Sequence, residues 1–178
     1  MNLGKKLKRY KGQLFILAMT IVHTVIGGTL NLTDDEAYYW VWSEHLDISY
    51  FDHPPLVAYM IKFFTSILGD TNLAVRLPGV LAVTVCSIYI YKIIMYLYAD
   101  RHKAFIGVVV FNLIPLFSMA AVMTIPDLPL IMLYTISLYY FIRLIYEQKP
   151  KLWYIIAVLV GLGLLSKYNM VLVRSEEH

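Results

Sequence analysis

The sequence predicts an all-α polytopic membrane protein, with about five transmembrane helices and two further helices that lie outside the membrane. Three observations predict this class. Of the 178 residues, 60% are hydrophobic and 15% are charged, whereas a soluble domain is ~45–50% apolar and ~25% charged. The hydrophobic residues form runs long enough to span a bilayer, and the basic residues concentrate in alternate connections between these runs.

A hydrocarbon core of ~30 Å requires about 20 mostly apolar residues per helix. The first run follows a basic segment, so a cleaved signal peptide is the alternative to an uncleaved anchor. We favour the anchor, because the run is long for a signal peptide and no clear A-x-A site follows it. Asn112 and Pro115 predict a kink in the third run. Five runs meet or approach the required length: residues 13–32, 77–97, 104–122, 128–146 and 152–173.

The basic residues predict the orientation, because Lys and Arg accumulate in the short cytoplasmic loops of membrane proteins. With a cytoplasmic N-terminus, eleven of them lie on the cytoplasmic side and three on the external side, before the tail. Eight of the twelve acidic residues then lie on the outer face. We therefore expect a multi-pass protein of the cell membrane with an external or periplasmic site. The cytoplasmic set is Lys5, Lys6, Lys8, Arg9, Lys11, Lys92, Arg101, Lys103, Arg143, Lys149 and Lys151, and the external set is Lys62, Arg76 and Lys167.

The long external connection, residues 33–76, predicts two short helices over residues 35–46 and 56–68. At 1.5 Å per residue the second helix covers only ~20 Å, which is too short to cross the bilayer. Apolar side chains occupy most of its circumference, so we expect it to lie in the interface, half sunk in lipid or against the bundle. Its narrow polar face consists of Ala58, Lys62, Thr65 and Ser66.

The stretch "TDDEAYYWVW" at the start of this connection combines three acids with an aromatic cluster. Thr33 and Glu36 have the spacing of a capping box, and acids in the first turn complement the helix dipole. This interpretation leaves Asp35 without an assigned role, so Asp35 and Glu36 are candidate catalytic residues. Tyr38 and Tyr39 are candidate substrate-binding residues, with an interfacial aromatic belt as the alternative.

Four further polar positions have both a structural and a functional interpretation. His53, in "DHPP", forms a titratable pair with Asp52 or belongs to a rigid helix entry. Asp127, between two prolines, is a helix N-cap or a functional acid at membrane depth. Lys167, within an apolar run, snorkels to the interface or holds a lipid phosphate. Arg76 has the same two interpretations as Lys167.

Other classes of function lack their signatures. The net charge of +3 is too small to indicate nucleic acid, and we expect no nucleic-acid partner. The single cysteine, Cys86, excludes an internal disulfide. The sequence contains no P-loop, no dinucleotide-binding glycine motif, no nucleophilic serine elbow and no metal-spaced Cys/His cluster.

Five motifs in order resemble the protein O-mannosyltransferase-like membrane glycosyltransferases, a group that includes the lipid A aminoarabinose transferases and has the GT-C fold. The motifs are "DDEAYYW", "YFDHPPL", "GDTNLAVRLPGVLA", "MTIPDLPL" and "GLGLLSKY", and the resemblance covers residues 10–173. It implies transfer of a sugar from a polyprenyl-phosphate carrier to a glycan, lipid or protein acceptor outside the cytoplasm.

The resemblance also implies roles for individual residues. Asp35 matches the acid that acts at the acceptor hydroxyl, with Glu36 beside it, and Asp127 matches a second acid of the site. Lys167 matches a position that contacts the carrier phosphate, and His53 lies in the His-Pro-Pro motif. A polyprenyl phosphate is a good leaving group that needs neutralisation of charge, which Lys167, Arg76 or a divalent cation could supply. No cofactor is certain, and Asp35, Asp127 and His53 are the candidate ligands for such a cation.

Members of this group are two to three times longer, so we expect residues 1–173 to be the N-terminal transmembrane part of a glycosyltransferase domain. Residues 174–178 form a short charged tail. Two alternatives remain at this point: a non-catalytic membrane protein that binds polyprenyl-phosphate lipids or assists a partner, and a transporter. Against a transporter, the charges cluster at one face instead of the membrane midplane, and no repeat is visible.

Overall fold

The computed structural model describes residues 9–51 and 53–167, and this part of the chain contains helices and no strand. The prediction of an all-α membrane bundle is therefore confirmed. Several expectations fall outside the described residues: the basic residues Lys5, Lys6 and Lys8, the partner Asp52 of His53, the end of the fifth run and the tail at 174–178. The helices are α1 (Lys11–Thr29), α2 (Asp34–Glu44), α3 (Leu56–Leu68), α4 (Asn72–Tyr98), α5 (Arg101–Leu113), α6 (Pro115–Ala120), α7 (Asp127–Glu147) and α8 (Lys151–Leu164).

Three helices of the described part, α1, α4 and α7, are long and apolar enough to cross a membrane. They correspond to the first, second and fourth predicted runs. The fifth predicted run corresponds to α8, an apolar helix of 14 residues that ends at Leu164. The third predicted run consists of two shorter helices, α5 and α6. The number of five spans therefore stays a prediction.

The break between α5 and α6 is the kink expected from Pro115. The preceding residue, Ile114, has an extended backbone with ψ 118°, as proline imposes on its predecessor. Asn112 stabilises this region from within the bundle, because its side-chain amide donates to the Ser87 hydroxyl on α4 and to the carbonyl of Val108.

Helix α4 is the centre of the bundle and packs against α1, α3, α5 and α7, while α8 packs against α7. Gly79 on α4 allows a close approach, since a Cβ there would lie 3.0 Å from the carbonyl oxygen of Met123 and 3.1 Å from a methyl of Leu128. The segment that leads into α7 therefore lies directly on the backbone of α4. The core at this contact includes Ala82, Val83, Cys86, Phe111, Ala120, Ala121 and Leu128.

The second external helix has the predicted bounds, Leu56–Leu68, and begins after Pro55. Its predicted polar face needs a correction, because Ala58 and Thr65 are buried. Together with Val57 and Ile61 they form the side that packs on α2 and α4. A small residue and a threonine permit close packing there. The exposed side carries Tyr59, Phe63 and Ile67, spaced four residues apart.

Basic and acidic side chains lie at opposite ends of the bundle. The start of α1 and the junction of α4 with α5 meet at a basic end, where Arg9, Lys11 and Arg101 line one hollow. The end of α1 and the start of α4 meet at the other end, where the acidic motifs lie. Helix α4 begins at Asn72, because the Thr71 hydroxyl accepts from the amide of Ala74. Arg76 therefore lies inside α4 and not in the external connection predicted for it.

Candidate active site

The acidic end is organised by the first turn of α2. Thr33 is the N-cap, and its hydroxyl accepts from the amide of Glu36 at 3.4 Å. The Glu36 carboxylate in turn accepts from the Thr33 amide at 2.9 Å, which completes the predicted capping box. The capping role of Glu36 and Thr33 is thus confirmed.

The same carboxylate forms a buried ion pair with Arg76. The Arg76 Nε donates to Glu36 Oε1 at 2.8 Å and Nη2 donates to Oε2 at 2.7 Å, which is a bidentate arrangement. The Arg76 and Glu36 side chains are 2% and 0% exposed. The remaining Arg76 donors bind the last carbonyls of α1 and the residues after it: Gly27 at 3.0 Å, Leu30 at 2.7 Å and Asn31 at 2.6 Å.

Glu36 also fixes the segment that precedes α7. The backbone amide of Thr124 donates to Glu36 Oε1 at 3.2 Å, across 88 positions of sequence. Burial alone raises the pKa of Glu36, but the hydrogen bonds from Arg76, Thr33 and Thr124 and the charge of Arg76 outweigh it, so the pKa is lowered. Glu36 is therefore a carboxylate that joins α1, α2, α4 and the 121–126 segment.

These contacts occupy the polar groups of two candidate site residues, Arg76 and Glu36. All five N–H donors of Arg76 are used within the protein, so the described structure leaves no donor for a substrate phosphate. The carboxylate of Glu36 is fully buried and accepts from protein donors. The geometry gives both residues a structural and positioning role, and the substrate-binding role expected of Arg76 and the catalytic role expected of Glu36 stay predictions.

Asp35 differs from its neighbour in exposure. It lies at the second helical position of α2 and its side chain is exposed. The described part of the chain provides no hydrogen bond or ion pair to its carboxylate. Asp35 thus presents an accessible carboxylate on a helix whose start is fixed by the next residue.

Asp127 and Lys167 lie together at the same end. The Lys167 Nζ donates to Asp127 Oδ1 at 2.8 Å, and the two side chains are 27% and 43% exposed. Asp127 is the first residue of α7 and its side chain caps no amide, so the interpretation as an N-cap is wrong. Lys167 follows the end of α8 instead of lying within a helix. A partly exposed pair of this kind adds only ~0–1 kcal/mol to stability.

Hydrogen bonds tie this pair to the rest of the acidic end. The buried Ser166 hydroxyl donates to the carbonyl of Pro126 at 2.6 Å, which holds the residues before Lys167 and Asp127 together. The amide of Leu56 donates to the carbonyl of Leu165 at 2.9 Å, which joins the start of α3 to the end of α8. The motifs "YFDHPPL", "MTIPDLPL" and "GLGLLSK" are therefore close together in space. This agrees with the prediction that they lie on the same side of the membrane.

An aromatic cluster borders His53. The rings of Trp42 and Tyr50 stack at 4.4 Å with an interplanar angle of 1°, and Tyr50 donates its hydroxyl to the carbonyl of Trp42. Tyr38 and Tyr39 contact Trp42, with ring centroids 4.7 and 5.1 Å from it. The His53 ring lies 6.4 Å from both Tyr39 and Trp42. The predicted substrate-binding tyrosines on α2 thus belong to one aromatic cluster, and His53, from the segment after α2, lies at its edge.

A metal site is not assembled by the described residues. Residues 9–51 and 53–167 contain no group of three His, Cys, Asp or Glu side chains close enough to hold an ion. The three candidate ligands, Asp35, Asp127 and His53, are therefore not gathered into such a group.

Two residues of this end had no role in the sequence analysis: Thr124, whose amide reaches Glu36, and Ser166, whose hydroxyl reaches Pro126. Both lie in motifs that the resemblance singled out, beside Asp127 and Lys167. That proximity was the only signal that could have found them, because a hydrogen bond across 40 or 88 positions has no periodic pattern.

Known proteins match the chain over most of its length. The lipid A galacturonosyltransferase of Rhizobium johnstonii is 27% identical over 166 residues, which cover 91% of this chain and 35% of that protein. The undecaprenyl phosphate-alpha-4-amino-4-deoxy-L-arabinose arabinosyl transferase of Photorhabdus laumondii is 29% identical over 106 residues, which cover 51% of this chain and 19% of that protein. The chain thus spans about a third or less of these relatives. No solved structure matches it significantly.

A family match agrees with these relatives and covers the last four of the five motifs, the first of them in part. It extends over residues 52–175, which is more than half of the 178 residues, and it includes "HPPL", "VRLPG", "MTIPDLPL" and "GLGLLSKY". The chain belongs to the dolichyl-phosphate-mannose-protein mannosyltransferase family.

Proposed function

We propose that the protein transfers a sugar from a polyprenyl-phosphate-linked donor to an acceptor on the non-cytoplasmic face of the membrane, with inversion at the anomeric carbon. The acceptor class is a glycan, a lipid or a protein. The relatives support this proposal by their names: one is a galacturonosyltransferase of lipid A, and the other uses an undecaprenyl-phosphate-linked amino sugar. Residues 1–173 would supply the N-terminal transmembrane part of the transferase domain.

The observation that carries the proposal is the contrast between Asp35 and Glu36. Glu36 is buried and bound to Arg76, which anchors the first turn of α2 to α4. Asp35, one residue earlier, is exposed at the end of the bundle that also carries Lys167 and Asp127. A carboxylate fixed in this way is preorganised to accept a proton, which a mobile surface acid is not.

In the proposed step, an acceptor hydroxyl oxygen attacks the anomeric carbon from the face opposite the phosphate. The bond between the anomeric carbon and the phosphate oxygen breaks, and its electron pair leaves with the polyprenyl phosphate. Asp35 takes the proton of the attacking hydroxyl, as a general base. A single displacement of this kind inverts the configuration and needs no covalent intermediate on the protein.

Lys167 is assigned to the phosphate of the carrier. Its ammonium group has three donors, and the described contacts use one of them, toward Asp127. The remaining donors can neutralise the negative charge that develops on the leaving phosphate. Asp127 orients Lys167 in this assignment, and a divalent cation is the alternative source of positive charge.

The aromatic surface of Tyr38, Tyr39 and His53 is assigned to binding of the sugar or the acceptor. The two tyrosines lie on α2 after Asp35, His53 lies in the segment between α2 and α3, and the rings are partly exposed. The external position of the whole site depends on the orientation inferred from the basic residues, which lie at the opposite end of the bundle.

Membranes from cells that express the natural gene provide the test. We expect them to transfer a labelled sugar from a synthetic polyprenyl phosphate sugar to envelope material, and membranes from a deletion strain to transfer none. Lys167→Gln should lower kcat/KM for the carrier through both a higher KM and a lower kcat, because the positive charge beside the carrier phosphate is lost in the bound donor and in the transition state. Lys62→Gln is the matched control, because Lys62 lies at the same end in a partly exposed pair with Glu44. Equal transfer by the deletion strain would refute the proposed function.

A further inference from the structure

A second concave site lies at the opposite end of the bundle from the proposed active site. It is a hollow of about 220 Å³ between the start of α1, the C-terminal half of α4 and the start of α5. Four basic side chains line it: Arg9, Lys11, Arg101 and His102. None of these residues takes part in the proposed reaction.

The arginines and the lysine around this hollow form no ion pair with the described part of the protein. Within residues 9–51 and 53–167, the ion pairs use other basic residues: Lys62, Arg76, Arg143, Lys149 and Lys167. The nearest acid in sequence is Asp100, whose carboxylate accepts from the backbone amides of His102 and Lys103 and so caps α5. Arg9, Lys11 and Arg101 thus converge on one concavity, and none of them forms an ion pair with an acid of the described residues.

Aromatic rings form the remaining walls. The ring of Tyr91 lies against α1 at Gly12, where a Cβ would be only 2.4 Å from the ring. Phe105 forms another wall, and the Lys11 ammonium lies 5.9 Å from the centre of its ring. These contacts give the hollow a defined shape between three helices, unlike a row of lysines on a flat surface.

The size of the hollow restricts its ligand. Pockets for ordinary small molecules have volumes of about 300–1,000 Å³, and this one is smaller, at about 220 Å³. A phosphate group with a small substituent is of the right size for it. Basic pockets between transmembrane helices are also the sites at which anionic lipid headgroups bind.

We infer that this hollow binds a phosphate-bearing anion of headgroup size, with an anionic phospholipid as the source that best fits its place at the end of a membrane bundle. The guanidinium groups of Arg9 and Arg101 bind the phosphate oxygens, and Lys11 adds a third positive charge. The aromatic walls contact the apolar part of the headgroup region. The site is separate from the proposed active site and does not depend on it.

The test uses the full-length gene product purified in detergent, with bound lipid measured by native mass spectrometry. The probes are phosphatidylglycerol and phosphatidylcholine, and inorganic phosphate serves as the soluble alternative. The variant R9Q/K11Q/R101Q removes three charges that line the hollow. The matched control K92Q/K103Q/K151Q removes three charges from exposed positions at the same end that do not line it, so effects on topology are shared.

We expect the wild-type protein to retain one phosphatidylglycerol in preference to phosphatidylcholine. R9Q/K11Q/R101Q removes the groups that contact the phosphate directly and should bind at least about tenfold more weakly, because even one hydrogen bond to a charged group contributes about this much. The control variant should change affinity much less. Retention of inorganic phosphate without phosphatidylglycerol, lost in the same variant, would support the site with a soluble ligand. Equal losses in both triple variants, or no preference among the probes, would overturn the inference.

Discussion

Replacement of Glu36 by Gln tests the buried ion pair at the acidic end. The substitution preserves the size of the side chain but removes its charge and one acceptor. Arg76 would then be a buried cation at 2% exposure, and only its three bonds to the carbonyls of Gly27, Leu30 and Asn31 would remain intact. The amide of Thr124 would also compete for the single oxygen that is left.

The magnitude follows from the burial of the pair. Removing one partner of a buried ion pair typically destabilises a protein by about 3–5 kcal/mol, because the other charge is left uncompensated. The comparable exposed pair, Lys62 with Glu44 at 40% and 34% exposure, should contribute only ~0–1 kcal/mol. We therefore expect Glu36→Gln to lower the free energy of unfolding several times more than Glu44→Gln does.

Unfolding in mixed micelles of mild detergent and SDS, followed by circular dichroism, measures both variants. The pH dependence provides a second readout, because the pKa of Glu36 is held below its ordinary value of 4.5. A lowered pKa in the folded state contributes stability that is present above this value and is lost as the pH falls below it. Wild-type protein should lose stability across that acid range, and Glu36→Gln should lose less.

A loss of less than ~1 kcal/mol for Glu36→Gln, equal to that of Glu44→Gln, would contradict the account. It would mean that Glu36 does not anchor α2. The fixed position of Asp35 would then lose its physical basis.

Two further predictions concern topology and packing. Cysteine introduced at Asp47 should react with an impermeant maleimide from outside, whereas cysteine at Gln148 should react only after the membrane is permeabilised. The reverse pattern would refute the predicted orientation. Gly79→Ala should destabilise the bundle by about 1–3 kcal/mol, because the new Cβ meets backbone oxygens at 3.0 and 3.3 Å. Gly161→Ala, where nothing lies within 4 Å of the new Cβ, should be neutral or slightly stabilising, and equal losses at both positions would refute the packing argument.

The local features of the fold could be predicted from the sequence. The capping box of Thr33 and Glu36, the helix start after Pro55 and the break before Pro115 all depend on neighbouring residues, and all three occur. Hydrophobic run length located α1, α4 and α7 for the same reason. Such features follow from backbone geometry and local hydrogen bonding, which a short window of sequence contains.

The pairings between distant segments could not be predicted. Arg76 has the sequence context of an interfacial cation, and only the packing of α4 against α1 and α2 makes it the partner of Glu36. Asp127 likewise has the sequence context of a helix cap, and its pairing with Lys167 depends on how α7 and α8 meet. The position of the motifs at one end of the bundle was predictable from the charge distribution, whereas the partner of each charge was not.

The rate of a single round of sugar transfer by Asp35→Asn tests the central claim most directly. Asp34→Asn is the matched control, because Asp34 is an exposed acid in the same helical turn and the change in charge is the same. Loss of a general base typically lowers the rate by 10²–10⁴-fold, so Asp35→Asn should show a loss of about this size with carrier binding retained. Asp34→Asn should transfer sugar at nearly the wild-type rate. Near wild-type transfer by Asp35→Asn, or equal losses in both variants, would contradict the assignment of Asp35 as the base.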